Sequence, residues 1–251
     1  MYRTVYRVSA FTQKNTKASD KPNEDLSFYD ENSGFVLVLD GVSRDKETGI
    51  YPNPSPAAEV VSIIKEKSFE YFLAYKDTDE NVLLHSVQYA NEEVRKYNFL
   101  RQLDFAAGAV GIFGYLLGES FHYVYIGDCY GRAIFDGVVD IFTECQTEKI
   151  SKHVKEFSAS FIRNDICNNP SHPYGYGVIN GSENANYFMR SGIIDKFDRI
   201  ILSTDGPEMY VSLCSIDELM WTTPEELIYK SSHLNQDDMT ILILNNSPII
   251  R

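Results

Sequence analysis

Phe35-Val36-Leu37-Val38-Leu39-Asp40-Gly41 is the stretch on which the reading of this chain turns. Five consecutive apolar residues, rich in β-branched and large aliphatic types, predict a strand buried on both faces. The run stops at a carboxylate followed by glycine, which allows a sharp turn and a close approach to a ligand. The same device recurs in Arg199-Ile200-Ile201-Leu202-Ser203-Thr204-Asp205-Gly206. It is inverted in Gln236-Asp237-Asp238-Met239-Thr240-Ile241-Leu242-Ile243-Leu244, where the acids precede the strand. Asn23-Glu24-Asp25 likewise precedes the short segment Leu26-Ser27-Phe28-Tyr29. Four strand ends therefore each carry an acid.

Outward from that strand, Val5 to Phe11 reads as a first strand and residues 12–22 as a polar loop. Ser55-Pro56 opens a helix, with Ser as N-cap, Pro at the first helical position and Glu59 near the positive end of the dipole. A second helix is expected from near Thr78 to about Tyr97. Strands follow over Phe105 to Leu117 and Phe121 to Ile126, then a hairpin across Asp136-Gly137. A short helix over Glu183 to Arg190, small helices near Glu208 and Ile216, and a capping box at Thr223-Pro224-Glu225-Glu226 complete the set. Because strands and helices do not alternate regularly, a doubly wound parallel sheet is disfavoured. The expected fold is α+β: two packed antiparallel β-sheets, a β-sandwich, flanked by α-helices on both outer faces. With no linker or repeat, residues 1–251 read as a single domain.

The composition narrows the function. A net charge of −13 argues against nonspecific binding to nucleic acid or to an anionic membrane surface. No secretory signal and no bilayer-spanning apolar run are read in the chain. The four cysteines are widely spaced, which suits free thiols in a reducing cytoplasm rather than a zinc site or disulfide framework. A cytoplasmic, monomeric protein is expected.

The acids carry the chemistry. Were Glu24, Asp40, Asp205 and Asp237 to converge, their mutual repulsion would raise their pKa values. Two divalent cations relieve it, and oxygen-only ligation suits Mg²⁺ or Mn²⁺. Two such ions roughly 3.5–4 Å apart acidify a bridging water and supply the positive field a phosphate needs. Phosphoester hydrolysis by activated water, without a covalent phosphoenzyme, is the reaction class this implies. A lone Asp-Gly pair is ordinarily a turn, and Asp136-Gly137 is read so; the case rests on the acids' joint order and strand context.

Taken together, Asn23-Glu24-Asp25, Val38-Leu39-Asp40-Gly41, Gly127-Asp128-Cys129-Tyr130-Gly131, Leu202-Ser203-Thr204-Asp205-Gly206 and Asp237-Asp238-Met239-Thr240 resemble, in order, the motifs of the metal-dependent type 2C Ser/Thr protein phosphatases. The resemblance spans roughly Asn23 to Leu244. It implies a β-sandwich flanked by helices and a phosphoprotein substrate carrying phosphoserine or phosphothreonine. It also implies that Asp40 bridges two Mn²⁺ or Mg²⁺ ions. Glu24 and the Gly41 carbonyl would serve one ion, and Asp205 and Asp237 the other. Asp25 would hold a metal-bound water, and Asp238 stands where many relatives have Asn, so the two adjacent acids are alternatives. Asp128 matches an acid that contributes to a third, weaker metal in some bacterial relatives.

Two departures accompany the match. Relatives usually carry an Arg shortly before the acid pair to grip phosphate, where this chain offers Lys17 and Lys21, point charges without the bidentate fork. After Asp40-Gly41 the chain continues Val42-Ser43-Arg44, so a His general acid is absent there and Arg44 is a candidate phosphate contact. The alternative function is a catalytically weak or dead pseudophosphatase serving as a regulatory module. The segment from about Lys149 to Gly181 falls where the family carries its variable flap beside the site.

Overall fold

A computed structural model describes residues 5–15, 22–42, 55–102, 105–234 and 237–247. Its central strand, β3 (Phe35–Gly41), buries Phe35 to Leu39 completely. Side chains alternate between the two faces of a strand, and here each face has its own core. Phe35, Leu37 and Leu39 pack under a helical layer, whereas Val36 and Val38 pack between two sheets. An unbroken apolar run is what a strand covered on both sides requires.

The sheet holding β3 runs in the order β2 (Asp25–Tyr29), β3, β4 (Ala109–Leu117), β5 (Ser120–Ile126), β8 (Arg190–Ile194). The second runs β1 (Val5–Gln13), β10 (Met239–Ser247), β9 (Arg199–Ser203), β6 (Tyr130–Phe135), β7 (Val138–Ile141). Every neighbouring pair of strands is antiparallel. The β6–β7 hairpin turns through Asp136 at φ 49° and Gly137 at φ 70°. Two positive φ values in succession fit the twist of the flanking strands, and this Asp-Gly pair is indeed a plain turn.

Helices α1 (Pro56–Tyr75) and α2 (Val82–Arg101) cover the outer face of the β3 sheet through Val60, Ile64, Phe72, Val87 and Val94. Ser55 caps α1 by accepting from the Ala58 amide at 3.1 Å, as its sequence predicts. On the opposite outer face lie α5 (Glu208–Val211), α6 (Ile216–Trp221) and α7 (Pro224–Ser231). Val211, Leu219, Leu227 and Ile228 meet Ile201, Ile241 and Ile243 there. Capping boxes open α6 at Ser215 and α7 at Thr223. The expected sandwich with helices on both faces is the observed architecture. No described helix is long and apolar enough to cross a membrane.

Two local expectations need correction. The helix expected over Glu183 to Arg190 is a 3₁₀ turn, Glu183–Tyr187, followed at once by the edge strand β8, which pairs with β5. Pairing with a distant strand overrides local preference in so short a segment. The strand expected from Phe105 begins at Ala109. Before it, the Ala107 backbone is held by Asn98 of α2, whose Oδ1 accepts from the amide at 2.9 Å and whose Nδ2 donates to the carbonyl at 2.8 Å. The segment read as a flap is built of short turns: α3 (Glu148–Ser151), α4 (Ala159–Phe161) and a π-helical turn over Ile162–Ile166.

Candidate active site

The ends of the two sheets bring the acids together. Asp25 on β2 lies directly opposite Asp40 on β3 in the strand register. Like charges facing each other across a strand pair destabilise it. The Thr204 hydroxyl, just beyond β9, donates to Asp25 Oδ2 at 2.8 Å and accepts from the Thr240 amide at 3.0 Å. Thr204 thereby ties the acid of one sheet to the backbone of the other. Thr204 sits inside the quoted motif, yet only the fold shows what its hydroxyl does.

Glu24 is 2% exposed and fixed along its whole length. Its amide donates to Asp238 Oδ2 at 3.1 Å, its carbonyl accepts from the Gly41 amide at 3.1 Å, and its carboxylate accepts from the Ser55 hydroxyl. Asp238 spends its other oxygen on the Asn15 amide, at 2.7 Å. Asp238 is buried and clasps two backbone segments, whereas Asp237 is exposed at the rim of the pocket. The adjacent acids, alternatives in the sequence, thus have different surroundings.

That pocket holds about 330 Å³, and Asp40, Gly41, Asp128 and Asp237 are among its lining residues. Asp128 accepts from the Thr147 hydroxyl at 2.8 Å. Gln146 anchors the loop behind it: its Oε1 accepts from the amides of Gly127 at 3.0 Å and Gly177 at 3.2 Å. Nothing in the spacing of Gln146 and Thr147 announced these roles. Glu24 and Asp205 do not line the pocket. Lys17, Lys21 and Arg44 lie outside the described residues, and among the described residues no Lys or Arg stands on the pocket wall.

Burial pushes the Asp40 carboxyl well above the usual carboxylate range, and Asp25, Asp205, Asp128 and Asp237 push it further. Asp25 is raised for the same first reason, against the opposing hydrogen bond from Thr204. Burial also raises Asp128. Among the described residues no three His, Cys, Asp or Glu side chains close around a single point as a finished ion cage. The donor chemistry nevertheless fits hard cations: the carboxylates of Asp40, Asp128 and Asp237 line one pocket, with no basic side chain among its described lining residues. Burial first, and then the neighbouring aspartates, push the Cys129 thiol well above its usual range.

Gly206 makes the turn behind Asp205, and a Cβ there would sit 2.1 Å from the Asp238 carbonyl oxygen. Backbone cannot yield as a side chain tip can. Gly206→Ala is therefore expected to part the Asp205 turn from the Asp237-Asp238 segment. If the acids hold a divalent ion, its affinity measured by calorimetry should weaken by about 10–100-fold, the usual effect of disturbing the groups that position ligands.

No protein-family model and no curated protein matches the sequence. Solved structures do match the fold. The serine/threonine phosphatase PstP/Ppp of Mycobacterium tuberculosis superposes with a TM-score of 0.69 at 17% identity, over 96% of this chain and 98% of that one. The catalytic domain of PstP in complex with two manganese ions gives 0.67 at 14% identity, over 96% and 97%. Stp1 from Staphylococcus aureus, also a serine/threonine phosphatase, gives 0.68 at 14%, over 98% and 97%. Over 96–98% of its length the chain has the fold of these bacterial PPM-type Ser/Thr phosphatases.

Proposed function

We propose that this chain is a divalent-metal-dependent phosphoprotein phosphatase acting on phosphoserine and phosphothreonine. The observation that carries the reading is the gathering of Asp25, Asp128, Asp205 and Asp237 about Asp40 at the sheet ends. A cluster that penalises its own ionisation in the absence of cations is the arrangement expected of a metal site. The similarity of the fold to phosphatases, one of them in complex with two manganese ions, supports it.

Asp40, Asp205 and Asp237 are the proposed principal ligands, with Glu24 and the Gly41 carbonyl completing the set and Asp128 serving a third, weaker ion. Two Mn²⁺ or Mg²⁺ ions supply Lewis acidity and an acidified water when bound. Asp25 and Asp238 hold the framework, one through Thr204 and the other through the amides of Asn15 and Glu24. In the reaction a water oxygen bonds to phosphorus as the bond to the seryl or threonyl oxygen breaks. The products are inorganic phosphate and the free hydroxyl.

Hydrolysis of para-nitrophenyl phosphate with and without Mn²⁺ tests the proposal. Turnover that requires Mn²⁺ and disappears in chelator and in Asp205→Asn is the expected result. Absence of turnover with metal binding intact would move the chain to a regulatory pseudophosphatase. Absence of both would end the metal reading.

A further inference from the structure

The second sheet ends on β1, whose nine residues pair with β10 on one side and, among the described residues, with no strand on the other. The other edge strands, β2, β7 and β8, have five, four and five residues. Sheet edges are ordinarily blunted by shortness, lysines, proline or a bulge, because an open row of amides and carbonyls is a template for another strand. β1 has none of these: its register with β10 runs unbroken from Val5 to Gln13, and Arg7 is its one charged residue. Tyr6 and Val8 pack between the sheets, so Arg7, Ser9 and Phe11 face the α7 side. Between β1 and α7 lies a groove of about 320 Å³, lined by Phe11, Gln13, Glu225, Glu226, Tyr229 and Lys230. Lys230 lies over the Tyr210 ring and 3.9 Å from Glu218, and Glu226 accepts from the Thr223 amide at 3.0 Å. Glu225 and Arg7 are both exposed and, among the described residues, in no ion pair.

We infer that the open edge of β1 pairs with β1 of a second copy of this chain, continuing the sheet antiparallel across a two-fold axis. The register must keep like faces together, because a one-residue slip sets the face of Tyr6 and Val8 in one copy beside the α7 face of the other. Full overlap of the nine residues centres the axis on Ser9, with Val8 opposite Ala10 and Arg7 opposite Phe11 of the second copy. Arg7 then meets the groove that holds Glu225 of the second copy, and the same contact repeats on the other side of the axis, as a two-fold interface requires. That charge complementarity, added to the open edge, selects a second copy as the occupant. The inference does not depend on the proposed phosphatase activity, and it departs from the monomer expected from the sequence.

Sedimentation equilibrium of the full chain tests the pairing. It is run in about 0.15 M salt, which screens the mutual repulsion of two chains of net charge −13 beyond about 8 Å. The wild type should show a monomer–dimer equilibrium. Ser9→Lys should weaken it by about tenfold or more, because it sets two like charges opposite each other at the axis. Ser9 is exposed, so a lysine there does not threaten folding. Arg7→Glu should weaken the dimer by roughly tenfold, the loss of two exposed ion pairs. Arg7→Glu combined with Glu225→Arg should return the dissociation constant to the wild-type value, which a damaged fold could not do. A wild type that stays monomeric up to a concentration on the order of 1 mM overturns the inference and leaves the edge to a strand of another protein. A dimer that Ser9→Lys does not weaken overturns it as well, since the contact then lies elsewhere. So does a double variant no tighter than Arg7→Glu.

Discussion

Asp40→Asn should make the metal-free protein more stable while abolishing its metal response and its activity. Asp40 faces Asp25 across the strand pair and is pushed up by burial first and then by four other aspartates. Removing its charge relieves that repulsion. We expect the metal-free variant to gain about 1 kcal/mol, a typical return from relieving a strained functional site. For a chain of this size that is a rise of roughly 2–4 °C in melting temperature. Addition of Mn²⁺ should raise the melting temperature of wild type and leave the variant unmoved, since only a ligand that binds the folded state shifts it. Turnover should fall by more than the 10–100-fold that marks loss of a ligand's supporting partner. A metal-free variant less stable than wild type, or one that still responds to Mn²⁺, would contradict the site.

The same groups set the pH dependence. A carboxyl whose folded pKa lies above its unfolded value binds its proton more tightly in the folded state. Stability therefore falls as pH rises from the unfolded value through the folded one, and the penalty is complete above it. Asp25, Asp40 and Asp128 are all shifted this way. Metal-free protein should thus melt higher in mild acid than the trend of its other groups would give. The Mn²⁺-induced shift should grow toward neutral pH, because the ligands must shed protons to bind.

Glu208→Ala should be the most damaging single change outside the acid cluster. Arg132 on β6 is 2% exposed, and its Nη2 donates to both oxygens of Glu208, at 2.5 and 2.6 Å. Glu208 begins α5, three residues after Asp205. The pair thus pins the turn that presents Asp205 to a strand of the sheet behind it. Deleting the carboxylate strands a buried guanidinium whose Nη1 already lacks a hydrogen-bond partner. The expected loss is about 3–5 kcal/mol, a large part of the 5–15 kcal/mol that holds an ordinary domain together. Urea denaturation checks it. Replacing both partners, Arg132→Met with Glu208→Leu, should restore much of the loss, since a buried pair is worth little over a well-packed apolar substitute. A double variant as unstable as Glu208→Ala would instead show that the pair itself is required.

Sequence alone determined what depends on near neighbours along the chain. The buried run at Phe35 to Leu39, the caps at Ser55 and Thr223, and the Asp136-Gly137 hairpin all follow from periodicity and turn chemistry that act within a few residues. The acids at the strand ends were legible for the same reason, since a strand that ends in Asp-Gly announces itself locally. Tertiary structure decided what depends on residues far apart. It separated Asp238, clasping Asn15 and Glu24, from Asp237 at the pocket. It turned Arg190–Ile194 into a strand by giving it β5 as a partner. It buried Arg132 against Glu208, 76 residues away, and brought the flap's aliphatic side chains into the lining of the pocket that holds the acids. Such pairings carry no local signal, because a carboxylate or an isoleucine reads the same in a chain whatever comes to face it. The free energy that assigns them is that of desolvation and contact, which exists only once the sheets have met.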